Sequence, residues 1–241
     1  MGRLAVRRFA ARGLRVAALD VDADGLAGTA EMAGSVSTWV CDVSDAAAVE
    51  RTLDEVEEAL GPLHTVFNAA AIMPLGKLVE QDLATVHRIM AINYGGVVNV
   101  SKLALPRLLA RGDGALVNFA SMAGWVPTLL VGAYNASKFA VVAFSEVLYH
   151  ENRGAGVRFA CVCPPPVATP LLDQARATAW PKLFDQMPPP LEPAHVLDAV
   201  EDALRTGEFW VFPGPRTKLG WRMRRWFPRF VWREIHRVEG W

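Results

Sequence analysis

An α/β fold, a doubly wound parallel sheet, is predicted for this chain of 241 residues from three observations. Six short apolar runs alternate with stretches of helical periodicity along most of its length, as in a parallel sheet covered on both faces. Glycine turn signals stand between them, "RG" at 12–13, "LGP" at 60–62, "RGDG" at 111–114 and "RGAG" at 153–156. With 52% hydrophobic and 21% charged residues, the chain can bury a core of the size one such domain needs.

In chain order, a helical pattern near 3–11 runs into the strand "LRVAAL" at 14–19, which closes on Asp20. The β-branched run "VSTWVC" at 36–41 is the next strand, and a helix follows near 45–60. "LHTVFNA" at 63–69 precedes a long helical pattern near 80–110, and "GALVNFA" at 114–120 precedes one near 134–153. "VRFACVC" at 157–163, a helix near 193–206 and "EFWVF" at 208–212 complete the alternation. The proline runs at 164–166 and 188–190 bracket a segment expected to be a mobile loop.

Zero net charge argues against bulk binding of nucleic acid. Cys41, Cys161 and Cys163 fit no metal-ligand spacing, so no metal is expected, and they fit a reduced, cytoplasmic protein. No apolar run reaches the length of a membrane span, and the opening residues lack a signal peptide's apolar region.

The chemistry centres on "YNASK", Tyr134 to Lys138, at the start of a helix. Residues four apart share a helix face, so phenol and ammonium can meet one ligand. A nearby cation favours phenolate, and the phenol's pKa is expected to fall from about 10 toward working pH. That suits a general acid/base acting on a carbonyl or hydroxyl oxygen. Ser121 ends the strand at 114–120, where ligands approach open parallel sheets, and its hydroxyl can hold the same oxygen. Asn93 lies inside a helical pattern, where its amide can bind backbone or water. Asp20, ending the second strand of a dinucleotide-binding unit, can accept from a ribose 2′-hydroxyl and repel a 2′-phosphate. NAD is therefore favoured over NADP.

Taken together these motifs resemble the short-chain dehydrogenase/reductase family over roughly residues 1–215, which implies a Rossmann-like fold. Asn93, Ser121, Tyr134 and Lys138 match the family's Asn-Ser-Tyr-Lys tetrad in order and spacing. "NAAAI" at 68–72 resembles Asn-Asn-Ala-Gly, with Asn68 and Ala70 at the matching positions. "CDVSD" at 41–45 resembles the Asp-Val pair beside the adenine, here Asp42 and Val43. "CPPPVATP" at 163–170 resembles the stretch against the nicotinamide, with Pro164, Val167 and Thr169 at the matching positions. The resemblance implies NAD(P)-dependent interconversion of an alcohol and a ketone or aldehyde. Tyr134 would move the proton, Lys138 would bind the nicotinamide ribose and Ser121 would position substrate. Asn93 would support a water relay. It also implies a homodimer or homotetramer paired through the two long helices. Ala69, Ala71 and Pro165 depart from the family pattern.

A larger departure is the beginning. Gly2 fits the last glycine of the family's phosphate-binding loop, and the expected strand and glycines before it are missing. A central strand matters on the scale of a domain's whole stability, about 5–15 kcal/mol. The expectation is therefore that Met1 lies inside a longer reading frame. The alternative is a cofactor-poor relative that acts as an interaction or regulatory protein.

Residues 171–190 fall where the family carries its substrate lid. Leu171, Leu172, Trp180, Phe184 and Met187, with Val126 and Leu129, can roof an apolar pocket, which points to an apolar alcohol or carbonyl substrate. The tail, 216–241, is set apart as a basic, tryptophan-rich segment. It carries eight Lys or Arg against Glu234 and Glu239, a balance of +6 that leaves −6 elsewhere. Arg222, Arg225, Arg229, Arg233 and Arg237 form one helical stripe, with two short helices expected around Pro228. Peripheral contact with anionic lipid, or docking on the chain's own domain or a partner subunit, are the two readings.

Overall fold

The computed structural model describes residues 1–33 and 36–241. Helix α1 (Gly2–Ala10) leads to strand β1 (Val16–Asp20), and helix α2 (Ala23–Ala33) to strand β2 (Val36–Val40). Helix α3 (Ala46–Leu60) starts where the Asp45 carboxylate accepts from the backbone N–H groups of Ala47 and Ala48, and it leads to strand β3 (Thr65–Asn68). Helices α4 (Leu83–Met90) and α5 (Gly96–Arg111) flank a π-helical turn, Ala91–Gly95. Gly112 ends α5 at φ +67°, a left-handed stop that glycine adopts without strain. Strand β4 (Ala115–Phe119), helix α6 (Gly132–Glu151) and strand β5 (Arg158–Val162) follow.

β1 pairs with β2, Val16 opposite Val36 through Asp20 opposite Val40. A second parallel sheet runs in the order β3, β4, β5 and then strand β6 (Trp210–Val211). Among the described residues no ladder joins β1 to β3. Helices tie the two sheets together instead. Phe9 of α1 meets Phe67 of β3 at 5.5 Å between ring centroids, while Arg3 of α1 donates to Thr29 of α2 at 2.9 Å. On the opposite side of the chain, Leu19 of β1 and Val66 of β3 pack on one cluster with Val49, Leu53 and Ala104 of α3 and α5.

β4 is buried throughout, because both of its faces are covered. Leu116 packs with Leu108 of α5 and Val141 of α6. Val117 packs on the other face with Ala5 of α1 and with Val196, Leu197 and Val200 of helix α9 (Pro193–Thr206). Helices on both faces of parallel strands make this the doubly wound α/β architecture that the alternation predicts.

Two expectations change. The single helix near 80–110 is interrupted by the π turn, which rotates Asn93 inward to meet Ile72. The segment between the proline runs is not an open loop: it forms helices α7 (Pro170–Thr178) and α8 (Lys182–Asp185). Gln174 of α7 accepts from Met73 N, and Thr178 accepts from Leu75 N at 2.8 Å. The tail folds as helices α10 (Thr217–Trp226) and α11 (Pro228–Glu239), broken at Pro228 as expected. The buried Glu239 carboxylate accepts from Leu183 N at 2.9 Å and Lys182 N at 3.2 Å, so α11 docks on α8. Among the described residues no helix is long and apolar enough to cross a membrane.

Candidate active site

Ser121 follows β4 in extended backbone, and its Oγ accepts from Ala123 N at 3.0 Å, which starts a 3₁₀ turn at Met122–Gly124. The turn rests on α6. A Cβ on Gly124 would come within 2.6 Å of the Lys138 carbonyl oxygen, so only glycine allows this approach. Gly124→Ala is expected to push the turn away from α6 and cost about 1–3 kcal/mol in urea unfolding. Unchanged stability and activity in that variant would show the contact to be dispensable.

The first two turns of α6 present Tyr134 and Lys138, both buried. Lys138 Nζ donates to Phe119 O at 2.8 Å and sits 5.7 Å from the centroid of the Tyr134 ring. Ser121, Tyr134 and Lys138 line one cleft with Ala69, Ala71, Pro164, Val167 and Thr169, at the carboxyl ends of β3, β4 and β5. The cleft is roofed by Leu171, Leu172, Phe184 and Met187 and walled by Val126 and Val131. Trp180, expected in the roof, and Leu129, expected beside it, do not line the cleft. Trp180 packs edge-on against Phe184 from behind and donates to Asp185 at 2.7 Å.

The phenol's ionisation departs from expectation. Burial pushes Tyr134 up to about 12 and outweighs the opposing interaction with Ser121. Burial likewise brings Lys138 down to about 8, against the pull of Cys161 and Cys163. Desolvation thus dominates over any help from the neighbouring ammonium, and the phenol is held in its protonated, donor form.

Asn93 is fully buried. Its Nδ2 donates to Ile72 O at 2.9 Å and to Ser137 Oγ at 3.1 Å, and its Oδ1 accepts from Ile72 N at 2.8 Å. Both amide hydrogens are engaged by protein groups, so a water can reach this side chain only through the second lone pair of Oδ1. Ser137 in turn donates to Tyr134 O at 2.8 Å, which links the π turn to the helix bearing the phenol. The π insertion aims the amide at Ile72 and Ser137, and Asn93 itself does not line the cleft.

The remaining candidates divide. Asn68 ends β3 with its amide turned away from the cleft. Its Nδ2 donates to Asn118 Oδ1 at 2.8 Å and Ser101 Oγ at 3.2 Å, and Asn118 donates to Ser145 at 3.0 Å. This buried network holds β3, β4, α5 and α6 in register. Ala70 is exposed and outside the cleft lining, whereas its neighbours Ala69 and Ala71 are in it. Asp42 is exposed, and hydrogen bonds from Ser44, then the nearby Arg88, hold its carboxyl below the usual range. Val43 packs against Gly96, and its carbonyl accepts from Asn99 at 2.9 Å. Asp20 is exposed at the carboxyl end of β1, and Gly2 opens α1 with open space where a Cβ would stand. Among the described residues no group of three or more His, Cys, Asp or Glu side chains could hold a metal.

Sequence reasoning passed over Asn135. Its Nδ2 donates to Ala123 O at 2.7 Å and its Oδ1 accepts from Thr128 N at 3.2 Å, so it fastens the Ser121 turn to α6. Leu130, at φ +67°, is a non-glycine residue in a left-handed conformation just ahead of α6. Neither had a local signal, since both depend on how the 122–131 segment returns to the helix.

A buried phenol, a buried ammonium and a serine thus meet in one cleft at the carboxyl ends of parallel strands. The chain belongs to the short chain dehydrogenase family, whose profile matches residues 1–180. The inactive 2-(S)-hydroxypropyl-CoM dehydrogenase 2 of Xanthobacter autotrophicus is 39% identical over 170 residues, 70% of this chain and 72% of that protein. D-threitol dehydrogenase of Mycolicibacterium smegmatis is 35% identical over 175 residues, 71% of this chain and 67% of that protein. The match spans 63% of the length of the first curated relatives, at 35% identity. Among solved structures, a short chain dehydrogenase/reductase from Burkholderia phymatum in complex with NAD superposes with a TM-score of 0.84 at 26% identity. That superposition covers 95% of this chain and 91% of the other.

Proposed function

We propose that this chain is a nicotinamide-dependent oxidoreductase that interconverts an apolar alcohol and its ketone or aldehyde, with NAD preferred. The observation that carries the reading is the convergence of Ser121, Tyr134 and Lys138 in one cleft under an apolar roof. The cleft's chemistry fits the cofactor. The buried Lys138 ammonium has three hydrogens and, among the described residues, one acceptor, Phe119 O, so it can also bind ribose hydroxyls. Asp20, exposed at the end of β1, suits the adenosine ribose, with Asp42 and Val43 toward the adenine. Pro164, Val167 and Thr169, which line the cleft, would hold the nicotinamide, and Gly2 at the start of α1 would hold the phosphates.

When bound, the nicotinamide supplies or accepts the hydride. The chain handles the proton. Tyr134 Oη gives its proton to the carbonyl oxygen in reduction, or takes one from the hydroxyl in oxidation. Ser121 Oγ holds that oxygen beside the phenol, and the Lys138 charge favours the phenolate that reduction leaves behind. Two carboxylates would make the adenosine end hostile to a 2′-phosphate. Asp20→Ser is expected to raise affinity for NADPH relative to NADH by about tenfold, read by fluorescence titration of each reduced cofactor. An unchanged ratio would remove Asp20 from cofactor choice.

The reading as a whole is tested by titrating the chain with NADH, where saturable binding is expected and its absence would defeat the proposal. The non-catalytic alternative draws on the relative named as inactive, but all four tetrad side chains are present here. A homodimer or homotetramer through α5 and α6 is supported by Phe139 and Val147, 39% and 56% exposed on one side of α6. A cytoplasmic location fits the three free cysteines.

A further inference from the structure

The tail carries a surface that neither the fold nor the cleft uses. α10 turns Trp221 inward, 5.7 Å from Trp125 and 5.6 Å from Phe212, and α11 turns Ile235 and Glu239 inward. What stays outside is large and aromatic. Trp226 is 71% exposed, Phe227 57% and Phe230 44%, gathered where the two helices meet at Pro228. Around them Arg222, Arg225, Arg229, Arg233 and Arg237 are all exposed. Few carboxylates answer these charges. Glu234 pairs with Arg237 at 2.7 Å and approaches Arg233 at 3.9 Å, while Glu239 is turned into the protein. Among the described residues Arg222, Arg225 and Arg229 make no ion pair.

We propose that this surface seats the protein on an anionic lipid bilayer. The aromatic side chains at the helix joint would enter the boundary between headgroups and acyl chains, and the arginines beside them would meet lipid phosphates. Charge complementarity selects this occupant. The 26 tail residues carry +6 and the rest of the chain −6, so the field of an anionic membrane turns the molecule tail-first. A basic face alone would suit any polyanion, but three exposed aromatic rings among the arginines fit a surface with an apolar layer beneath its charge. The consequence for the cleft is positional. α11 is docked on α8, whose Leu183 and Phe184 line the cleft, so the roof of the site would lie next to the lipid. The membrane contact itself does not rest on the catalytic reading.

The test is co-sedimentation of the full chain with vesicles of phosphatidylcholine alone and of phosphatidylcholine containing phosphatidylglycerol. Binding to the anionic vesicles is expected to be about tenfold stronger or more, and to weaken as salt is raised. Trp226→Ser with Phe230→Ser should remove most of it, and so should Arg222→Gln with Arg225→Gln and Arg229→Gln. All these side chains are exposed, so circular dichroism and melting should match the parent. Equal pelleting with both vesicle types, or none with either, would overturn the proposal. So would an aromatic double variant that binds undiminished while a DNA duplex competes fully, which would mark a polyanion site. A dimer in sedimentation velocity that the Trp226 and Phe230 changes convert to monomer would assign the face to a second copy and overturn it as well.

Discussion

Tyr134→Phe is expected to lower turnover by a factor of roughly 10² to 10⁴, the usual worth of a positioned proton donor. The change removes one oxygen and keeps the ring. That ring is 6% exposed and packed among Met73, Val131, Leu172 and Ala175, so the cluster survives and the fold should keep its stability. Affinity for NADH should also hold, because Lys138 keeps its place through Phe119 O. The measurement is steady-state oxidation of a panel of apolar secondary alcohols, with NADH binding followed in parallel. Turnover that stays near the parent's would remove Tyr134 from the chemistry and leave the cleft without its proton carrier.

Stability is expected to rise with pH through the range where Lys138 discharges. Its folded pKa of about 8 lies below the ordinary 10.5, so the unfolded chain holds this proton more tightly. Below about pH 8 the full penalty for burying the ammonium applies, and it is relieved as pH climbs toward 10.5. A difference of this size amounts to roughly 3 kcal/mol, about 2 of which should be recovered between about pH 7 and about pH 9.5. Tyr134 acts later and in the opposite sense. With its folded pKa near 12 against 10, it stabilises the fold at lower pH and gives that up above about pH 10. Urea unfolding of the cofactor-free chain at the two lower pH values is the measurement, with Lys138→Met as reference. That variant should be the more stable at neutral pH and should lack the rise. Parallel pH profiles for the two proteins would contradict the burial argument.

The strands were legible because β4 is buried throughout and β5 everywhere but at Arg158, so both are written mostly in apolar residues. "GALVNFA" and "VRFACVC" cannot be read otherwise in a chain of this composition. The edge was less legible. "EFWVF" suggests a five-residue strand, but among the described residues only Trp210 and Val211 form the strand, opposite Cys161 and Val162. The spacing of Ser121, Tyr134 and Lys138 located the cleft because one strand end and two turns of one helix suffice to bring them together. The acidity of the phenol did not follow from spacing. It depends on the roof that excludes water, and the roof depends on contacts remote in sequence. Four-residue α8 has no helical signal of its own and is held by a carboxylate more than fifty positions later. The π turn at Asn93 is similar, since its partner Ile72 lies in a different connection.

The two halves of that roof are fastened by separate anchors. α7 is held by Gln174 and Thr178 to the segment after β3, and α8 by Glu239 near the far end of the chain. Substrate preference can therefore drift through residues that never meet a substrate: a change at Thr178 would loosen one flank of the entrance, and a change at Glu239 the other. Variation between close relatives at these anchors would then sort with the size of the alcohols they accept, even where every residue facing the bound molecule is the same.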